Sequence, residues 1–181
     1  MKNIVIRNGI IAGLIVGIPM LAYFLSLPAD GSLSPNMMVI TYVVMLVALS
    51  MVFVGIKQYR DQVLGGVIKF GPALLVGLGI SAVAGIIYAI AWEICTAFMR
   101  FDFTAYYANQ MIEQARASGA GEEGIAIATA NAAGFTAMYA NPLFRIPMTF
   151  LEIFPVGILV SLISAGLLRN SKFLPARAPA Q

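Results

Sequence analysis

The chain has 181 residues, 60% of them hydrophobic and 10% charged, with a net charge of +3 and no histidine. Soluble domains carry roughly one-quarter charged residues, so this balance excludes an ordinary soluble fold and points to the bilayer. The missing histidine removes the commonest general base and the commonest transition-metal ligand together, and no metal-ligand cluster replaces it, so neither metal nor cofactor is expected.

A hydrocarbon slab about 30 Å thick takes roughly 20 apolar residues at about 1.5 Å each. In chain order, runs of that length cover about 9–27, 37–56, 70–99 and 146–168. They lack the alternation of a barrel strand, and backbone without water to bond must be helical. The turn-rich stretch from Pro28 to Asn36 folds the first two into an antiparallel hairpin, and the last two form a second. The predicted fold class is therefore all-α, a polytopic membrane helical bundle of four transmembrane helices in two antiparallel hairpins.

Residues 1–172 read as one membrane domain and 173–181 as a disordered cytoplasmic tail. Although Lys2 and Arg7 precede the first run, it is longer than a signal-peptide core, and Pro28-Ala29-Asp30 is a poor cleavage site, so it reads as an uncleaved span. Cys95 is the lone cysteine and lies within the third run, which rules out an intrachain disulfide.

Lysine and arginine resist translocation and orient the spans. Lys2, Arg7, Lys57, Arg60, Lys69, Arg169, Lys172 and Arg177 collect on one side, which predicts cytoplasmic termini. That basic side suits anionic lipid headgroups, and nothing calls for nucleic acid. Residues 100–141 then lie outside the cytoplasm. Asp102 is a helix N-cap there, and Phe103, Tyr107, Met111 and Ala115 recur every fourth residue up to the glycine-rich break at 118–121. Glu122 and Glu123 start a second helix that Asn141-Pro142 stops. The segment is predicted to be an extracytoplasmic amphipathic helical hairpin, either a cap over the spans or a docking surface.

Small residues recur at four-residue spacing. Gly9, Gly13 and Gly17 mark the first span, Gly77, Ser81, Gly85 and Ala89 the third, and Gly157, Ser161 and Ala165 the fourth. Such stripes let helices approach closely, either within the chain or between copies. The link between the hairpins, Lys57-Gln58-Tyr59-Arg60-Asp61 followed by Gly65-Gly66, reads as a snorkelling basic anchor and a flexible turn, with a phosphate or partner site as the alternative.

Glu93 and Glu152 stand inside the third and fourth runs, where a charge is costly and normally faces a bundle interior or a watery cavity. Arg100 and Arg145 each lie seven residues toward the outside, so each glutamate is expected on its arginine's face, roughly 10 Å below it. If both arginines mark the outer interface, the two carboxylates share one depth. Such a pair is a proton or cation site, or else helix glue bonded to Tyr88, Thr96 or Thr149. Pro19 and Pro155 weaken their helices, and Ser26, Thr41, Thr96 and Thr149 lie toward the outer ends, which together predict an outward-facing polar cavity.

Two blocks carry a family resemblance. Residues 45–50 (MLVALS) lead to 55–61 (GIKQYRD) and to Gly65, Gly66 and Ile68, and residues 141–143 (NPL) lead to 148–157 (MTFLEIFPVG) and 161–164 (SLIS). Both are similar to the bacterial membrane proteins of the domain of unknown function 4199 family. The resemblance implies a small four-span protein of the bacterial cytoplasmic (inner) membrane and transfers no catalytic or binding residue. The expected function is an accessory, scaffold or oligomer-forming subunit, alone as a homo-oligomer or within a larger membrane complex. The alternative is a small transporter, channel or cation-linked sensor using Glu93 and Glu152. An enzyme is not expected, since no activated nucleophile accompanies the carboxylates.

Overall fold

The computed structural model describes residues 1–27 and 36–176. Its helices are α1 (Lys2–Ser26), α2 (Met37–Gln62), α3 (Phe70–Phe98), α4 (Phe103–Ala117), α5 (Glu122–Tyr139) and α6 (Pro142–Leu168), and no strand occurs among the described residues. Helices α1, α2, α3 and α6 have 25 to 29 residues and mean hydropathies of 2.1 to 2.6, long and apolar enough to cross a bilayer. The chain is a multi-pass helical membrane protein. Helices α1 and α2 are longer than their apolar runs at the basic end, beginning at Lys2 and running on to Gln62, and α6 is longer at the outer end, beginning at Pro142 where the run begins at about 146. The turn expected at Pro28 to Asn36 falls almost wholly outside the described residues.

Helix ends follow their local chemistry. The Asp102 carboxylate caps α4 by accepting from the Ala105 amide (3.0 Å) and the Thr104 hydroxyl (2.7 Å), and these bonds hold its carboxyl below the usual carboxylate range. Gly119, at φ +75°, ends that helix, and Asn141 with Pro142 behind it starts α6. Gly65 and Gly66, at φ +68° and +97°, reverse the chain between α2 and α3.

Both expected hairpin pairs are in contact, yet the packing centres on α3, which touches α1, α2 and α6. The small-residue stripes make this possible. A methyl group on Gly9 would lie 2.5 Å from Cβ of Val83, one on Gly13 2.6 Å from Cβ of Ile87, and one on Gly17 3.1 Å from Cβ of Ala91. The first stripe thus beds α1 along α3 in parallel, joining the two hairpins. On another side of α3, Gly77 lies against Ser161 and Ser81 against Gly157, with added methyls 2.7 and 2.6 Å from their neighbours. Both serines are buried and donate to their own helices, Ser81 to Gly77 O (3.0 Å) and Ser161 to Gly157 O (2.7 Å). All eight of Gly9, Gly13, Gly17, Gly77, Ser81, Gly85, Gly157 and Ser161 are buried within the chain.

The basic end departs from the expected snorkelling anchor. Arg60 is 0% exposed, its Nε donating to Asp61 (2.6 Å) and its Nη1 to the carbonyls of Phe173 (2.9 Å) and Leu168 (3.4 Å), with Nη2 on the carbonyl of Leu174. Its guanidinium caps α6, whose last carbonyls have no helical partner. The tail expected to be disordered from residue 173 is therefore pinned through Leu174, and 177–181 lie outside the described residues. Beside this clamp the buried Asn8 amide donates to Ile4 O (2.8 Å) and Gln58 Oε1 (3.0 Å), and Arg7 donates to the same Gln58 oxygen (2.8 Å).

The contact between α1 and α3 yields a direct comparison. Gly13→Ala is expected to lower stability by about 1–3 kcal/mol through overpacking against Ile87, whereas Gly166→Ala, at a site with nothing within 4 Å, is expected to change it little. Reversible unfolding in mixed detergent micelles measures both.

Candidate functional site

Moving four residues up α3 moves the contact four residues down α6. Gly77 meets Ser161, Ser81 meets Gly157 and a methyl added to Gly85 would lie 3.4 Å from Ile153, so the next two steps set Ala89 opposite Thr149 and Glu93 opposite Arg145. There the guanidinium forms a two-pronged pair with the carboxylate, Nε to Oε1 at 2.7 Å and Nη2 to Oε2 at 2.6 Å. Such fork-to-fork pairs are shorter and stronger than single hydrogen bonds. The remaining Nη1 donates to the Tyr139 carbonyl (3.3 Å), and the guanidinium carbon stands 5.8 Å from the centre of the Tyr139 ring.

Tyr139 ends α5, so this contact seats the outer hairpin on the spans. Its hydroxyl accepts from the Trp92 indole N–H at 2.6 Å, which ties α5 to α3 a second time. Around that bond the rings of Phe24, Trp92, Phe103, Tyr107, Phe135 and Tyr139 form a continuous aromatic cluster with centroid separations of 5.0 to 6.5 Å. Members from α1, α3, α4 and α5 meet there. Beyond this base the hairpin presents its surface outward, with no buried residue in α4 and only Ala132 and Tyr139 buried in α5.

Glu152 has a different partner. The Tyr88 hydroxyl, reaching out of the core, donates to its Oε2 at 3.1 Å. The expected meeting of the two glutamates does not occur, because Arg145 lies level with Glu93 and not with Arg100. Glu152 is thus two turns, about 10 Å, farther from that end of the bundle. Arg100 is exposed and has no hydrogen-bond or ion-pair partner among the described residues. Of the three hydroxyls named as glue, Tyr88 holds a carboxylate, while Thr96 donates to Glu93 O and Thr149 to Arg145 O. Ser26 likewise donates to Ala22 O, so three of the four hydroxyls expected to line a polar cavity bond carbonyls of their own helices, while Thr41 has no hydrogen bond among the described residues. Two shallow grooves lie near the basic end, one on α2 beside Lys57 and Asp61 and one on α1 beside Asn3 and Arg7, and neither is lined by a glutamate. Among the described residues no three His, Cys, Asp or Glu side chains stand close enough to hold a metal ion.

Residues 7–170 match the family described as protein of unknown function (DUF4199). The chain belongs to this family. The match takes in α2, α3, α6, the outer hairpin and all of α1 after Ile6, so the Arg145 junction and the α3–α6 contact both lie within the DUF4199 region. No curated protein and no solved structure matches the chain.

Sequence reasoning missed Trp92 and Tyr139 as parts of this junction. The signal was present in the stripes, for aligning Gly77 with Ser161 and continuing by fours leads to Glu93 and Arg145.

Burial pushes the Tyr139 hydroxyl up to about 12. A tyrosine ordinarily loses its proton near 10, so the folded state holds this proton more tightly. The stability it contributes is present below about pH 10 and is lost as pH rises from about 10 to about 12. Emission of Trp92, the single tryptophan, is expected to shift through that window as the hairpin loosens, and Tyr139→Phe to abolish the shift. An unchanged pH profile in that variant contradicts the assignment.

Proposed function

We propose that this protein is a non-enzymatic accessory or scaffold subunit of the bacterial cytoplasmic membrane, with both termini cytoplasmic and the α4–α5 hairpin displayed on the outside as a docking surface. The observation that carries this reading is the commitment of Arg145. Every donor it directs at Glu93 and Tyr139 serves to hold the base of the hairpin, which leaves the two helices themselves exposed. An ionisable pair inside a span is expensive to keep. Here it positions a surface, which favours recognition over transport.

Charge supports the orientation. Lys2, Arg7, Lys57, Arg60, Lys69, Arg169 and Lys172 stand at one end, while the hairpin at the other end pairs Arg116 with Glu113 (2.7 Å) and carries Glu122 and Glu123 besides. The alternative, a transporter, channel or cation-linked sensor built on a Glu93 and Glu152 pair, finds less support because the two carboxylates have separate partners.

Purification from native membranes in mild detergent tests the proposal. The full chain is expected to retain a stoichiometric partner protein, and a variant with residues 104–138 replaced by a short flexible linker to lose it while its spans still purify folded. Retention of the same partner by the shortened chain places docking on the spans and overturns the reading.

A further inference from the structure

Within the spans, two polar side chains remain incompletely bonded on the outer surface of the bundle, and they lie on neighbouring helices. Glu152 is exposed on α6, with Oε2 taken by Tyr88 and no hydrogen bond to Oε1 among the described residues. Tyr42 is 53% exposed on α2, and its hydroxyl likewise has no partner among them. Tyr42 stands among exposed Val39, Val43, Leu46 and Val47, and Glu152 among exposed Met148, Leu151, Leu159 and Ile163, so both are polar points on apolar faces.

Their depths match. Helices α2 and α6 run in the same direction, with Leu49 beside Gly157 and Ile56, through the shared neighbour Gly77, at the level of Ser161. Continuing that register outward places Tyr42 level with residues 147–150, less than two turns from Glu152. A tyrosine side chain about 6.5 Å long spans most of that offset, since the stagger is about 3–8 Å at 1.5 Å per residue. Hydrocarbon offers neither group a partner, and a polar group left unbonded in lipid is costly.

We infer that this α2–α6 face binds a second copy of the chain, with Tyr42 of each copy donating to Glu152 of the other. A two-fold axis parallel to the helices preserves depth, so the same surface on both copies satisfies both pairs at once. The phenol is a donor and the carboxyl oxygen an acceptor, which makes the face complementary to itself. The flanking side chains are aliphatic, and the polar side chains packed nearest Glu152 are already bonded, Tyr88 to Glu152 itself, Thr149 to Arg145 O and Arg145 to Glu93. This inference rests on the scaffold reading only in supposing that the chain assembles; it assigns the face and the occupant.

Cysteine cross-linking in native membranes tests it, with a short bis-maleimide because a Tyr–Glu contact holds the two Cα atoms farther apart than the roughly 7 Å a direct disulfide can bridge. Two differently tagged chains, both carrying Cys95→Ser, are co-expressed, one with Tyr42→Cys and the other with Glu152→Cys. The mixed pair keeps one intact Tyr42–Glu152 contact and is expected to give a mixed cross-linked dimer with the bis-maleimide, whereas Cys at Ile86, exposed on α3, gives none with either. In detergent, Tyr42→Phe is expected to lower the dimerisation constant about tenfold, the loss of two interhelical hydrogen bonds of the usual membrane size. Tyr88→Phe, which removes only the internal bond, leaves the dimer intact. Absence of the mixed dimer overturns the inference. If a hairpin-dependent partner is still retained, the scaffold reading survives that failure. Equal trapping at Ile86 marks collisional contact and overturns the inference as well.

Discussion

The pairing of Glu93 with Arg145 depends on two helices meeting almost backbone to backbone. In hydrocarbon there is no hydrophobic gain from bringing helices together, so contact must come from close van der Waals packing and from polar groups that have no other partner. The glycines and serines of α3 and α6 supply the first. They fix a register in which a carboxylate near the end of α3 finds a guanidinium near the start of α6. A single large residue in either stripe separates the helices and leaves both charges without their partner.

From that junction the rest of the outer end follows. Arg145 spends its third donor on the carbonyl of Tyr139, Trp92 bonds the hydroxyl of the same residue, and the aromatic cluster fills the space between. The hairpin is thereby fixed at its base and free along its length. At the basic end Arg60 does a related job by a different route, closing the C-terminus of α6 with a buried guanidinium. One arginine at each end of α6 thus ties that helix to its surroundings, α3 and α5 at one end, α2 and the following turn at the other.

Much of this was legible beforehand. Four spans, the amphipathic hairpin and the small-residue stripes follow from hydropathy and from spacing of four, which are local properties of the chain. The helix cap at Asp102 was equally readable, since capping is decided within a few residues, whereas Asn141, legible only as the stop of α5, also caps α6. Partner choice was not local. Spacing places Arg145 on the helix face of Glu152, but a guanidinium beside another helix bonds across the gap if a carboxylate stands level with it. Arg60 was read as a snorkelling anchor because its acceptors, carbonyls more than 100 residues away, are invisible as side chains. Tyr88 is legible as a candidate glutamate partner, and it bonds Glu152, while Glu93 pairs with Arg145.

The central claim is that the ion pair brought together by the α3–α6 register holds the outer end of the bundle and seats the hairpin. Charge reversal tests it most directly, with Trp92 emission and reversible unfolding in mixed micelles as readouts. Glu93→Arg and Arg145→Glu are each expected to cost about 3 kcal/mol, because each leaves two like charges facing one another in a partly buried site. The doubly reversed chain is expected to recover most of that loss and the native emission of Trp92. Losses that simply add in the double variant, or single variants as stable as the parent, contradict the account.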